Sequence, residues 1–158
     1  MIRIIDPASG RQWDERKILI AAPPSNPRRG MFGMTRNGGR KRHNGLDLYR
    51  PHGLPVWCFM DGEVFMAGEQ VGKSGKAEDK GYGLRVYVQH QDDVQTIYAH
   101  LGHIGVSVDQ KVRGRHILGL SGDTGNATGE LDHVHFAVRV AGRFVDPIKF
   151  ARKVLTNG

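Results

Sequence analysis

The stretch Leu84-Arg85-Val86-Tyr87-Val88-Gln89-His90-Gln91-Asp92-Asp93-Val94-Gln95-Thr96-Ile97-Tyr98-Ala99-His100 decides the fold. Leu84, Val86 and Val88 alternate with Arg85, Tyr87 and Gln89, the period of two that sends successive side chains to opposite faces of a strand. Gln91-Asp92-Asp93 then turns the chain into a second run, Val94 to His100. The stretch therefore reads as an antiparallel hairpin with one buried face, and His100 falls at a strand end.

The same reading extends outward in both directions. From Leu46 onward, short apolar or alternating runs are cut by Gly and Asp, which predicts an antiparallel all-β domain. Pro55 to Met60 and Glu63 to Ala67 flank Asp61-Gly62, where a type I′ turn with Gly62 at positive φ is expected. Lys111 to Leu120 reads as turn then strand, and Val134 to Val140 with Arg143-Phe144-Val145 as a hairpin around Ala141-Gly142. Pro147 opens a short terminal helix reaching about Leu155, because proline is tolerated at the first helical position. No internal repeat, coiled coil or low-complexity tract is present.

Composition bounds what such a domain can do. At 158 residues, 39% apolar and 25% charged, the chain suits one domain with its own core, and 22 glycines imply many tight turns. The single cysteine, Cys58, excludes an intrachain disulfide and, inside Val56-Trp57-Cys58-Phe59-Met60, reads as a buried structural thiol. Residues 1–42 form a basic, irregular N-terminal segment, breaker-rich at Ala21 to Pro27 and crowded with Arg28, Arg29, Arg36, Arg40, Lys41 and Arg42. Residues 43–158 are read as the domain proper.

Met1 to Pro7 lacks the uninterrupted apolar run of a signal peptide, and no segment has the ~18 apolar residues of a membrane span. The expectation is a chain made in the cytoplasm, without stable membrane insertion, a monomer that reaches any envelope target by another route. A net charge of +7 favours an anionic partner: nucleic acid, a membrane surface or a wall polymer. Nucleic acid is set aside, since no zinc-finger spacing, RNP-like aromatic strand or helix-turn-helix pattern accompanies the charge.

The chemistry lies in His133-Val134-His135 and, far upstream, His43-Asn44-Gly45-Leu46-Asp47. Residues i and i+2 of a strand share a face, so His133 and His135 look into one site, where one can ligate a metal while its neighbour moves protons. Gly45 and the β-type run Leu46 to Tyr49 place His43 and Asp47 on a loop entering a strand. A catalytic zinc keeps three protein ligands and one water, whose pKa it lowers towards ~7. His43, Asp47 and His135 give that count. His52, His90, His103 and His116 lack such company and read as surface or packing residues.

With these residues in view, the chain resembles the lysostaphin or LytM-type zinc metallopeptidases, which cut peptide cross-links in bacterial peptidoglycan. The resemblance spans about residues 40 to 150. It rests on His43-x-Gly45-x-Asp47, Pro55-Val56 leading to Asp61-Gly62, Gly81-Tyr82-Gly83, Tyr98-Ala99-His100-Leu101, Gly122 to Gly125, Thr128-Gly129, His133-Val134-His135-Phe136 and Asp146-Pro147, in order. It implies a small antiparallel β-sandwich with an open active-site groove, with His43, Asp47 and His135 as ligands of one zinc ion. His100 and His133 would then activate water or steady the tetrahedral intermediate, and Tyr98 would sit on the substrate side or pack beneath His100.

Several finer expectations follow from the same residues. Glu130-Leu131-Asp132 replaces a shorter link in the family, so Glu130 and Asp132 are candidates for contacting an amine-bearing stem peptide or an imidazole. The resemblance further implies that an upstream Asn can stand in place of water as a fourth zinc ligand, for which Asn26 and Asn37 are available, in which case trimming residues 1–38 raises activity. Residues 28–42 are candidates for binding anionic envelope polymers. The directly cross-linked, D-alanyl-diaminopimelate wall is the expected substrate, in a phage lytic protein, a delivered effector or an excised catalytic domain. The competing reading is a non-catalytic wall-binding activator of another hydrolase, which the complete ligand set disfavours.

Overall fold

The structure, a computed structural model, describes residues 3–70 and 81–157. Its strands are β1 Gly33–Arg36, β2 Lys41–His43, β3 Leu46–Tyr49, β4 Pro55–Trp57, β5 Gly62–Glu69, β6 Leu84–Gln89, β7 Val94–Ile104, β8 Lys111–Val112, β9 Ile117–Ser121, β10 His133–Val140 and β11 Arg143–Val145, followed by helix α1 Pro147–Asn157. Among the described residues, β1 and β2 form a separate ribbon and nine strands form one antiparallel sheet in the order β11-β10-β7-β6-β5-β8. Strand β3 lies beside β10, and β4 and β9 extend from the far end of β7.

Strand β7 organises this arrangement because it is long enough to serve two neighbourhoods. Its first part pairs with β6 and β10 and its end pairs with β9, Leu101 lying between Leu84 of β6 and Ser121 of β9, and His103 opposite Leu120. The sheet so encloses a core to which Val64, Val86, Tyr98, Val134 and Phe136 contribute from one part and Val56, Val112 and Leu118 from another. Burying a side chain such as Phe136 contributes about 1.5–3 kcal/mol, so this cluster is the main stabilising term.

The hairpin read from residues 84–100 is present, Val88 opposite Thr96 and Gln89 opposite Gln95. Asp92 and Asp93 both take left-handed backbone angles, φ 55° and 56°, as do Ala141 and Gly142 in the turn between β10 and β11, φ 48° and 76°. These are the angles a type I′ turn requires.

Asp61-Gly62 is different from expectation. Strand β4 pairs with β9, whereas β5 pairs with β6 and β8, so the dipeptide is a corner between strands that do not pair with each other. Gly62 is not at positive φ. Glycine is needed there for close approach, since a Cβ would stand 2.8 Å from Val88 Cγ1 and 2.7 Å from His90 Nδ1. Asp61 secures the corner: its carboxylate accepts from the Gly114 N–H and its carbonyl from His90 Nδ1–H, both at 2.7 Å.

The N-terminal segment packs as a strap over the domain. Ile4 and Trp13 belong to the core, and Trp13 meets Phe59 edge to face at 5.5 Å between ring centroids. Ile5 N donates to Phe59 O at 2.9 Å and Trp57 N to Pro7 O at 3.1 Å. Cys58 is wholly buried, as its apolar run implied, and burial pushes its thiol up to about 12. Among the described residues no helix is long and apolar enough to cross a membrane.

Candidate metal centre

Register builds the site. Along β10, Val134, Phe136 and Val138 face the core, leaving His133 and His135 on the opposite face. Strand β3 pairs so that Asp47 is directly across from His135, and on the other side Ala99 is its partner in β7. His43 closes β2, and Gly45 lets the chain pass under the His135 ring, where a Cβ would lie 2.8 Å from its Cε1.

These elements converge three donor atoms. His43 Nε2 is 3.1 Å from His135 Nδ1 and 3.1 Å from Asp47 Oδ1, and His135 Nδ1 is 3.0 Å from the same oxygen. Ligands around a tetrahedral zinc are separated by about 3.3 Å, given bonds of about 2.0 Å, so the triangle is the right size for one ion. The protonation pattern agrees. His43 commits its Nδ1 proton to the carbonyl of Met31 at 2.9 Å, which turns the lone pair of Nε2 towards the Asp47 carboxylate. A proton held at the triangle, or a bound cation, would relieve the repulsion between that lone pair and the anion. Burial pushes Asp47 up, but the imidazoles of His135 and His43 beside it outweigh this and hold the carboxyl well below the usual range.

Two further imidazoles border the triangle. His133 Nδ1 donates to Leu131 O at 2.6 Å, leaving Nε2 3.7 Å from Asp47 Oδ1. His100 Nδ1 donates to Thr124 O at 2.9 Å, and its ring lies 5.1 Å from that of His133. His100 reaches this position through backbone geometry that is rare for a histidine, φ 62°, at a register shift between β6 and β7. Burial, then the neighbouring His135 and His133, lowers His100 to about 3, so it is neutral at physiological pH and its Nε2 carries a lone pair.

Other residues named from the sequence lie elsewhere. Tyr98 is fully buried on the core face, its hydroxyl accepting from Phe59 N at 2.9 Å and its ring packed against Phe136. Glu130 is exposed and paired with Arg29 at 3.1 Å, and Asp132 Oδ2 accepts weakly from His52 N at 3.4 Å. Asn26 donates its amide to Thr35 O at 3.0 Å, and Asn37 is an exposed turn residue. The upstream side chain that does touch the centre is Arg36, whose Nη2 donates to Asp47 Oδ2 at 2.7 Å. In the sequence it is one of six basic residues crowded between Arg28 and Arg42. Tyr82, whose Gly-Tyr-Gly setting was the sole signal, stacks on His135 at 5.1 Å and 27°.

Residues 41–147, which contain all five of these histidines and carboxylates, match Peptidase family M23. The chain belongs to that family. The M23 match is accompanied by 34% identity over 109 residues to the DD-carboxypeptidase/endopeptidase Mpg of Neisseria meningitidis serogroup B, covering 69% of this chain and 23% of that protein. The peptidoglycan DD-endopeptidase ShyA of Vibrio cholerae is 38% identical over 108 residues, 68% of this chain and 22% of that protein. The chain thus spans less than a quarter of these relatives. The catalytic domain of the antimicrobial peptidase lysostaphin from Staphylococcus simulans superposes with a TM-score of 0.59 at 29% identity, covering 78% of this chain and 87% of that one. The M23 fold is therefore the fold seen here, mostly antiparallel sheet with one short C-terminal helix.

Proposed function

We propose that this M23 domain is a zinc-dependent endopeptidase that hydrolyses the D-alanyl-diaminopimelate cross-links of bacterial peptidoglycan. The observation that carries the proposal is the donor triangle of His43, Asp47 and His135, bordered by the imidazoles of His133 and His100, whose Nδ1 atoms donate to backbone carbonyls. Zinc is the ion favoured by two imidazoles and one carboxylate at tetrahedral spacing. Once bound, it would polarise the scissile carbonyl and supply a deprotonated water near neutral pH.

The protein's own groups would do the rest. His133 Nε2 takes the proton of the attacking water, and an imidazolium formed there has the Asp47 carboxylate 3.7 Å away as counter-charge. His100 Nε2, neutral and oriented by Thr124, accepts or returns a proton on the leaving-amine side. Tyr82, stacked on His135, excludes water from that ring. The bond assignment is supported by two relatives whose names specify DD-peptidase activity.

The test is mass spectrometry of fragments released from purified peptidoglycan, directly cross-linked or glycine-bridged, by zinc-loaded protein with a His135→Ala control. New D-alanine and diaminopimelate termini absent from the control are expected. Release from the glycine-bridged wall alone would overturn the bond assignment, and release from neither would overturn the enzyme reading.

A further inference from the structure

Resting on the metal site just described, we infer that Arg36 is a positioning residue that makes Asp47 a one-oxygen ligand. The two carboxylate oxygens are already divided between tasks. Oδ1 faces His135 Nδ1, His43 Nε2 and His133 Nε2 at 3.0, 3.1 and 3.7 Å. Oδ2 is taken by Arg36 Nη2 at 2.7 Å, in an ion pair whose side chains are 27% and 6% exposed. A charge-assisted hydrogen bond shielded to that degree is strong enough to compete for an oxygen lone pair.

The backbone is built to aim Arg36. The register of β1 and β2 shifts between Met34 and Arg36, placing Thr35 in a bulge, a device that redirects the neighbouring side chain. Thr35 is buried and fixed from both sides: its hydroxyl donates to Met31 O at 3.1 Å, and its carbonyl accepts from the Asn26 amide at 3.0 Å. That Met31 carbonyl is the one that orients His43, so a single strap sets two of the three ligands. Arg40, Lys41 and Arg42, from the same ribbon, are exposed. Among the described residues Arg36 Nε has no acceptor, so Asp47 is what holds this guanidinium in place.

Function explains why the second oxygen should be held. A carboxylate with both oxygens free can chelate, which raises the coordination number and fills the position that substrate and water need. Arg36 prevents this while neutralising the charge left on Oδ2.

Cobalt-substituted protein tests the idea, because visible absorption falls as cobalt passes from four to five ligands. Arg36→Met should bind cobalt with absorption lowered by roughly half, and should lose activity by about 10- to 100-fold, the usual effect of removing a group that orients a ligand. Arg36→Lys, which keeps one donor and the charge, should recover most of both. A wild-type spectrum in folded Arg36→Met overturns the inference, as does loss of cobalt binding by that variant. Wild-type protein that fails to bind cobalt overturns the metal site and this inference together. Wild-type protein that binds cobalt with the expected variant spectra but cuts no peptidoglycan overturns the proposed function alone.

Discussion

His43 donates from Nδ1 to the carbonyl of Met31 at 2.9 Å, across a sequence separation of 12 residues. The contact fixes which ring nitrogen carries the proton, and so which can bind metal. Gly30 O receives the Asp47 N–H at 2.8 Å and Ala21 N donates to Asp47 O at 2.8 Å. The strap upstream of the domain is thus a wall of the candidate metal centre.

Trimming residues 1–38 is therefore expected to lower activity, the reverse of what a removable covering segment would give. The deletion removes Met31, Arg36 and the buried Ile4, Ile5 and Trp13, and large core side chains typically contribute about 2–5 kcal/mol each. Thermal unfolding and zinc titration of the trimmed protein should show a lower midpoint and weaker binding. A trimmed protein that folds, binds zinc normally and cuts faster would sink this account.

His100 and His133 should separate from the ligands by phenotype. Neither is in the donor triangle, so His100→Gln and His133→Gln should each retain one zinc per chain while losing about 10²- to 10⁴-fold in kcat, the scale of general acid-base catalysis. His43→Gln and His135→Gln should lose the metal itself. Zinc content by atomic emission, measured beside turnover, decides between the two behaviours; loss of zinc in the His100 variant would make it a ligand.

Gly45→Ala offers a probe that leaves every donor in place. An added methyl would meet the Phe136 carbonyl oxygen at 2.5 Å, His135 Cε1 at 2.8 Å and His135 Nε2 at 2.9 Å. The His135 ring, held on its other side by Tyr82, must tilt off the triangle. Zinc affinity should fall by about tenfold or more, as for other changes that disturb ligand orientation. Unchanged affinity by chelator competition would show that the ring has room to spare.

What the sequence discloses of this centre depends on how local the cause is. The alternation at 84–100 and the shared face of His133 and His135 are consequences of strand geometry, and both are readable from spacing. The adjacency of Asp47 and His135 is set by the pairing of β3 with β10, which spacing does not encode; the ordered motifs supplied it. Asp61-Gly62 misleads because a glycine needed for left-handed backbone and one needed for close approach leave the same dipeptide. His100 is turned by a register shift, and Arg36 by a bulge whose residue, Thr35, carries no signal distinguishing it from a solvated strand position. Each of these last cases is a tertiary decision made by packing.

Cys58 supplies a test of the core that is independent of the metal. Its thiol titrates near 9 when unfolded and is pushed up to about 12 by burial. The folded state therefore holds a proton that the unfolded state has lost, so this residue's stabilisation is complete below pH 9 and declines as pH rises from 9 towards 12. Between pH 9 and 10 the loss is about 1 kcal/mol. Tyr98 and Tyr82 are also pushed up by burial and add to the alkaline loss, so the comparison must be made against Cys58→Ala. Urea denaturation at pH 8, 9 and 10 should give a shallower decline in the variant. In the wild type at pH 8, an aromatic disulfide reagent should label Cys58 only as the protein unfolds. Prompt labelling of the native protein would mean that the Val56 to Met60 run is open to solvent.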